Sequence, residues 1–355
     1  MEENFNTSES ATLFPTAGEV MSESTFNLDE PIFVDEEAMA DDPGVNDEGH
    51  PYFIEGNTNA YTLEDLRKHI VPVFATNELT LAHTDIARAV YSAAANVFGL
   101  ENLSPLEFRG SHPQQGRIPS ALKKPASELL ESEKTCYLQR IACCFTVKNY
   151  ARTICEQPTD LCIGFMRSYH TTNLYSAKSP EKISIWCSRR CRVCSNLCLS
   201  VNGLKENLEV MSVNDIYAHA TELFKSYIAN ADEDVRMLEG LGRTRISISQ
   251  FCQLVGRLRY YSSLDTTSQK ELPKVLLGDS LCYEATRLFI DSRWGLKDGE
   301  DSLTLFRLLQ CFTEACKGSY LHNWLSKEQN CVELIRNLQY VLEGDTENPY
   351  SWFLS

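Results

Sequence analysis

The runs Gln139-Arg140-Ile141-Ala142-Cys143-Cys144-Phe145-Thr146-Val147 and Leu161-Cys162-Ile163-Gly164-Phe165-Met166-Arg167-Ser168-Tyr169 decide the fold. Each is short, rich in β-branched and aromatic residues, and bounded by polar turn clusters, which is the signature of a strand. Ile183 to Cys187 and Val193 to Val201 repeat the pattern, so the four runs read as strands of one largely antiparallel sheet. Residues 119 to 133 interrupt them as a loop with at most one helical turn, because Pro125 limits anything longer.

On either side of these runs the apolar period lengthens to that of a helix. Upstream, Thr62 with Asp65 three residues on forms a capping box for a helix that stops before Pro72. A second helix, with Thr84 as its expected cap, repeats Ile86, Ala89, Val90, Ala93 and Val97 on one face and closes at Gly99. Downstream, Ser212 caps a helix containing Ile216, Tyr217, Ala220, Leu223, Phe224 and Tyr227. Leu305, Leu308, Leu309 and Phe312 mark one later helix, and Val332, Ile335 and Leu338 another. Helices, then a sheet, then helices define an α+β protein with a largely antiparallel central sheet. The expected organisation is a disordered acidic arm over 1–50 and a single α+β domain over 51–355, with helices plus sheet to 211 and a helical part from 212.

Charge supports that division. The formal net charge is −16, yet the first 60 residues hold fifteen acids and no Lys or Arg, so the rest of the chain is close to neutral. Such a segment is too poor in apolar residues to fold alone. There is no basic-then-apolar leader, and fourteen cysteines read as reduced thiols, which together predict a cytoplasmic protein. No run approaches the roughly 18 apolar residues that a membrane span needs.

Between residues 134 and 205 the balance reverses, with eleven basic side chains against Glu156, Asp160 and Glu181. Aromatics are interleaved, among them Phe145, Phe165, Tyr169, Tyr175 and Trp186. Lysine and arginine neutralise phosphates and release counterions, while aromatic faces stack on unpaired bases. The pattern therefore predicts a nucleic-acid surface that favours single-stranded DNA. Arg167, His170, Lys178, Arg189, Arg190 and Arg192 are the candidates for phosphate contacts, and Tyr169 and Tyr175 for stacking. The competing reading buries the aromatics on an inner face and leaves the charges as an ordinary solvated surface. His170 could serve as a general base or a phosphate donor, but a lone histidine without an identified carboxylate partner is more often structural.

Cys187, Cys191, Cys194 and Cys198 form C-x3-C-x2-C-x3-C, a spacing that raises the question of zinc. In a strand the first two face one side and the last two the other, and in a helix all four make a row, so neither arrangement builds a tetrahedral cage. No metal and no cofactor are expected. Phosphate-loop, zinc-protease and serine-hydrolase motifs are absent, and Gly240-Leu241-Gly242 does not continue to a dinucleotide fingerprint.

Several phrases together resemble a family of uncharacterised proteins from Bacteroides and relatives, itself similar to phage/plasmid-like proteins of unknown function. They are Asn57-Thr58-Asn59-Ala60, Gly116-Arg117-Ile118-Pro119, Lys124 to Ser132, Asn173-Leu174-Tyr175-Ser176, Val193 to Cys198 and Trp352-Phe353-Leu354-Ser355. The resemblance implies carriage on a mobile genetic element, where DNA handling and countering host defence are common tasks. The leading expectation is a non-enzymatic nucleic-acid-binding protein, with the acidic arm able to compete for the basic surface. One alternative is an interaction or regulatory factor that docks on a protein partner through residues 1–50. Another is a metal-dependent phosphodiester enzyme whose site is scattered along the chain.

Overall fold

A computed structural model of the chain describes residues 31–40, 52–68, 80–170, 180–291 and 295–355. In chain order the first half supplies β1 (Asn59–Tyr61), α1 (Leu63–Lys68), α2 (His83–Phe98), β2 (Glu107–Gly110), β3 (Pro113–Arg117) and β4 (Lys134–Leu138). Four long strands follow: β5 (Arg140–Ile154), β6 (Gln157–Ser168), β7 (Glu181–Cys191) and β8 (Leu197–Val210). The remainder is mostly helical, with α3 (Val213–Leu241), β9 (Arg245–Ser247), α4 (Ile248–Ser263), α5 (Thr266–Lys270), α6 (Asp279–Phe289), β10 (Ser302–Thr304), α7 (Leu305–Cys316) and α8 (Leu321–Leu342).

The main sheet has the order β1-β2-β5-β6-β7-β8, and every neighbouring pair is antiparallel. The β5–β6 hairpin turns through Cys155 and Glu156, both left-handed (φ 47° and 65°). Two consecutive residues of that kind match the twist of the strands they join. The run from Val193 was expected to be strand, but residues 192–196 form the β7–β8 turn. There Ser195 is left-handed (φ 57°), and the Cys191 N–H closes onto the Asn196 carbonyl at 3.0 Å.

Both faces of this sheet are covered. Ile141, Cys143, Phe145, Leu161, Ile163, Phe165, Ile183 and Ile185 lie against α2 and α3, whose Ile86, Ala89, Val90, Ala93, Ile216 and Phe224 are buried with them. Ala142, Cys144, Cys162, Met166 and Trp186 point the other way, into a core shared with α7, α8, Phe53 and Trp324. Trp186 and Trp324 meet edge to face with ring centroids 5.6 Å apart. Truncating either to alanine would cost about 3–5 kcal/mol. Helix caps follow the sequence in two places: Asp65 N–H donates to the Thr62 hydroxyl at 3.1 Å, and Asp215 N–H to the Ser212 hydroxyl at 3.2 Å. Thr84 is not the cap of α2. The helix starts two residues earlier, at His83, with Ala82 in the capping position.

The compact unit begins at Ile32, ahead of the expected boundary after residue 50. Phe33 reaches Tyr217 with ring centroids 5.5 Å apart, the Val34 N–H donates to the Ser92 hydroxyl at 2.9 Å, and Met39 is buried. These few apolar residues, scattered among acids, attach the segment. Residues 1–30 and 41–51 lie outside the described residues, and the expectation of a disordered arm falls there. Among the described residues no helix is long and apolar enough to cross a membrane.

Candidate nucleic-acid interface

The basic residues between 134 and 205 do not form one surface. Arg167 is buried, ion-paired with Glu181, donates to the Leu81 carbonyl and lies over the Tyr169 ring at 4.3 Å. Tyr169 is buried as well, and its hydroxyl meets Thr80 Oγ1 at 3.1 Å. Arg189 is buried and donates to the Tyr150 carbonyl. Arg190 pairs with Glu107 at 2.7 Å and donates to the Ser195 hydroxyl at 3.1 Å. Arg192 is half-exposed, but Asp160 takes both sides of its guanidinium at 2.8 and 2.6 Å. Tyr175 and Lys178 lie outside the described residues.

This arrangement overturns the idea of an open basic sheet carrying stacking aromatics. Helices cover the aromatics of both faces, and Phe145, Phe165 and Trp186 are at most 1% exposed. Arg167 and Arg189 are buried with them, satisfying carbonyls and a carboxylate rather than solvent. The candidates also separate in space, since Arg167 pairs with Ile183 at one end of the β6–β7 ladder and Asp160 with Arg190 at the other. Seven residues of strand put roughly 23 Å between those rows.

His170 is the candidate that the fold places in a different kind of company. It follows β6 at the edge of the described chain and is exposed. Its ring centroid lies 5.7 Å from that of His322, in the first turn of α8. Arg140, which opens β5 opposite Ser168, and Lys327, five residues further along α8, are near enough for their charges to act on the His322 ring. Burial, followed by the charges of Arg140, His170 and Lys327, lowers the pKa of His322, and among the described residues no carboxylate contributes to that balance. Two nitrogens in the cluster, Arg140 Nε and His322 Nδ1, are shielded from solvent and without a hydrogen-bond partner among the described residues. Tyr320, 56% exposed, stacks on His322 with an interplanar angle of 24°. The N-terminus of a 22-residue helix adds its partial positive charge at the same place.

Four basic groups with orphaned donors beside an exposed aromatic ring can accept an anion and a planar base. Arg140 was legible as part of the basic central segment, whereas Tyr320, His322 and Lys327 were not. They sit on a helix whose sequence pattern announces only an apolar face.

The four-cysteine phrase does not converge. Cys187 faces the α2–α3 core while Cys198 belongs to the core shared with α7 and α8. Among the described residues no group of three His, Cys, Asp or Glu side chains is placed to hold a metal ion.

The family described as "Domain of unknown function, B. Theta Gene description (DUF3871)" matches residues 34–354. The chain belongs to this family. The family match and the compact unit begin within two residues of each other, at 34 and Ile32. No curated protein matches the chain, and no solved structure does.

Proposed function

We propose that this protein binds nucleic acid at the end of its sheet where Arg140, His170, His322 and Lys327 meet, without acting chemically on it. The observation that carries this reading is the gathering of four basic groups around the start of α8 with no carboxylate among the described residues acting on His322. Arg140 and Lys327 carry like charges, and with burial they disfavour a proton on His322, a cost that a bound anion would offset. A phosphate between Arg140 and the first turn of α8 would neutralise that repulsion. Tyr320, stacked beside His322, offers a face to a neighbouring base, which favours a single strand over a duplex whose bases are already stacked. Carriage on a mobile genetic element, which the sequence resemblance implies, would supply such a partner.

The test is fluorescence anisotropy of the full-length chain with labelled single-stranded and duplex DNA across a salt series. The expected result is tighter binding of the single strand, with log K falling against log salt at a slope of about −1.5 to −3, as two to four phosphate contacts on a single strand require. Absence of binding at ~50 mM salt, where such contacts are strongest, would remove the proposal.

A further inference from the structure

At the opposite end of the β6–β7 ladder lies a feature that the nucleic-acid reading does not use. Cys191 and Cys194 are the ends of a C-x2-C step inside the β7–β8 turn, and both are free thiols. The turn is held from every side. Arg190 grips Ser195, Arg192 grips Asp160, the Asn196 amide donates to the Gln310 carbonyl at 3.0 Å, and buried Lys317 donates to the Cys194 carbonyl. The Ser195 N–H bonds back to the Cys191 carbonyl at 2.9 Å, which winds the step like one turn of helix and sets the two side chains side by side.

The surroundings of the pair are those of a reactive thiol. The neighbouring Cys194 thiol, the N–H groups of Cys194 and Val193, and the Lys317 charge together hold the Cys191 thiol well below the ordinary cysteine value despite burial. The same neighbour, with burial, raises Cys194, whose thiol donates to Gln310 Oε1 at 3.6 Å. One thiolate poised against one thiol is what a dithiol needs to exchange with a disulfide.

Access is also present. Cys191 lines a cleft of about 650 Å³ between the two hairpin turns, the end of α3 and the start of α7. Arg307 in that cleft is taken up by Glu300 at 2.8 Å, whereas Arg243 and Lys297 have no carboxylate partner among the described residues. Glu156 and Glu239 also line it. Two free cations and two carboxylates complement a ligand that carries both carboxylate and ammonium groups.

We propose that Cys191 and Cys194 form a redox-active dithiol, reached through this cleft by a peptide-like low-molecular-weight disulfide. Cys191 Sγ attacks one sulfur of the disulfide, whose S–S bond breaks to release one thiolate and leave a mixed disulfide on Cys191. Cys194 then gives up its proton and attacks Cys191 Sγ, expelling the second half of the ligand as a thiol. The protein pair is oxidised by two electrons, and the ligand is reduced to two thiols.

The experiment treats the full-length reduced protein with oxidised glutathione in the absence of air, followed by alkylation and peptide mass mapping. The expected product is a Cys191–Cys194 disulfide, with Cys194→Ser instead accumulating the mixed disulfide at Cys191. Recovery of Cys191 and Cys194 as free thiols while exposed Cys252 is modified would overturn the proposal, and because this uses the unaltered chain it does not depend on any variant folding. Recognition is tested separately with Arg243→Glu/Lys297→Glu. It should react roughly tenfold more slowly with oxidised glutathione, yet within about twofold of wild type with neutral 2-hydroxyethyl disulfide. Equal slowing with both would refute the peptide-like ligand. Neither outcome bears on DNA binding, so the two proposals stand or fall apart.

Discussion

Removing the Glu181 carboxylate should be one of the most damaging single changes in the sheet. Glu181 is buried, ion-paired with Arg167, and accepts the Leu81 N–H at 2.7 Å, while Arg167 donates to the Leu81 carbonyl. The pair thus ties β6 and β7 to the segment that leads into α2. Burial raises the Glu181 carboxyl above its usual range even though Arg167 pulls it down, so desolvation outweighs the attraction. Such a pair adds little net stability, but breaking it leaves a charged guanidinium in the interior at a cost of about 3–5 kcal/mol. For a chain whose total stability is on the order of 5–15 kcal/mol, that is a large share. Glu181→Leu and Arg167→Met should each lose about this much in urea unfolding followed by tryptophan fluorescence. The double variant should lose clearly less than the sum, because it leaves no uncompensated charge. Arg167→Met with unchanged stability but abolished DNA binding would refute this reasoning and return Arg167 to the surface.

Other outcomes follow from particular contacts. Gly164 sits against the Trp186 ring and the Cys143 carbonyl, and a Cβ there would collide with both. Gly164→Ala should therefore cost at least about 1–3 kcal/mol in the same unfolding assay, with an altered Trp186 emission. Ser212→Ala removes the acceptor for the Asp215 N–H and should cost about 1 kcal/mol. Because folding lowers the pKa of His322, the unfolded chain holds that proton more tightly. Stability should therefore fall as pH drops through the ordinary histidine value near ~6.5, and His322→Leu should flatten that slope. DNA affinity should move the other way and strengthen over the same window, since a phosphate favours the protonated ring.

How far the sequence could be read depended on the range of the interaction concerned. Local chemistry was legible: the Thr62 and Ser212 caps, Gly99 at the end of α2, and the strands of the central runs all came from neighbouring residues. The β7–β8 turn was missed because Cys191 to Asn196 contains no Gly or Pro, and its left-handed residue is a serine. The covering of both sheet faces had a signal, since Leu161 to Met166 is almost uninterruptedly apolar rather than alternating. What no local pattern could reveal was which arginines would be interior. Arg167 and Arg189 look like surface charges in the sequence, and only their partners Glu181, Leu81 and Tyr150, brought in by tertiary packing, make them buried. The basic cluster has the same character, joining His170 to residues more than a hundred positions away.

The most direct test of the account compares two charge reversals in single-stranded DNA binding by anisotropy: Arg140→Glu/Lys327→Glu in the cluster, and Arg192→Glu at the far end of the sheet. The cluster variant should lose at least about tenfold in affinity and have a salt slope shallower by roughly 1 for each phosphate contact removed, while Arg192→Glu stays within about twofold of wild type. Loss of binding in Arg192→Glu with the cluster variant unaffected would contradict it.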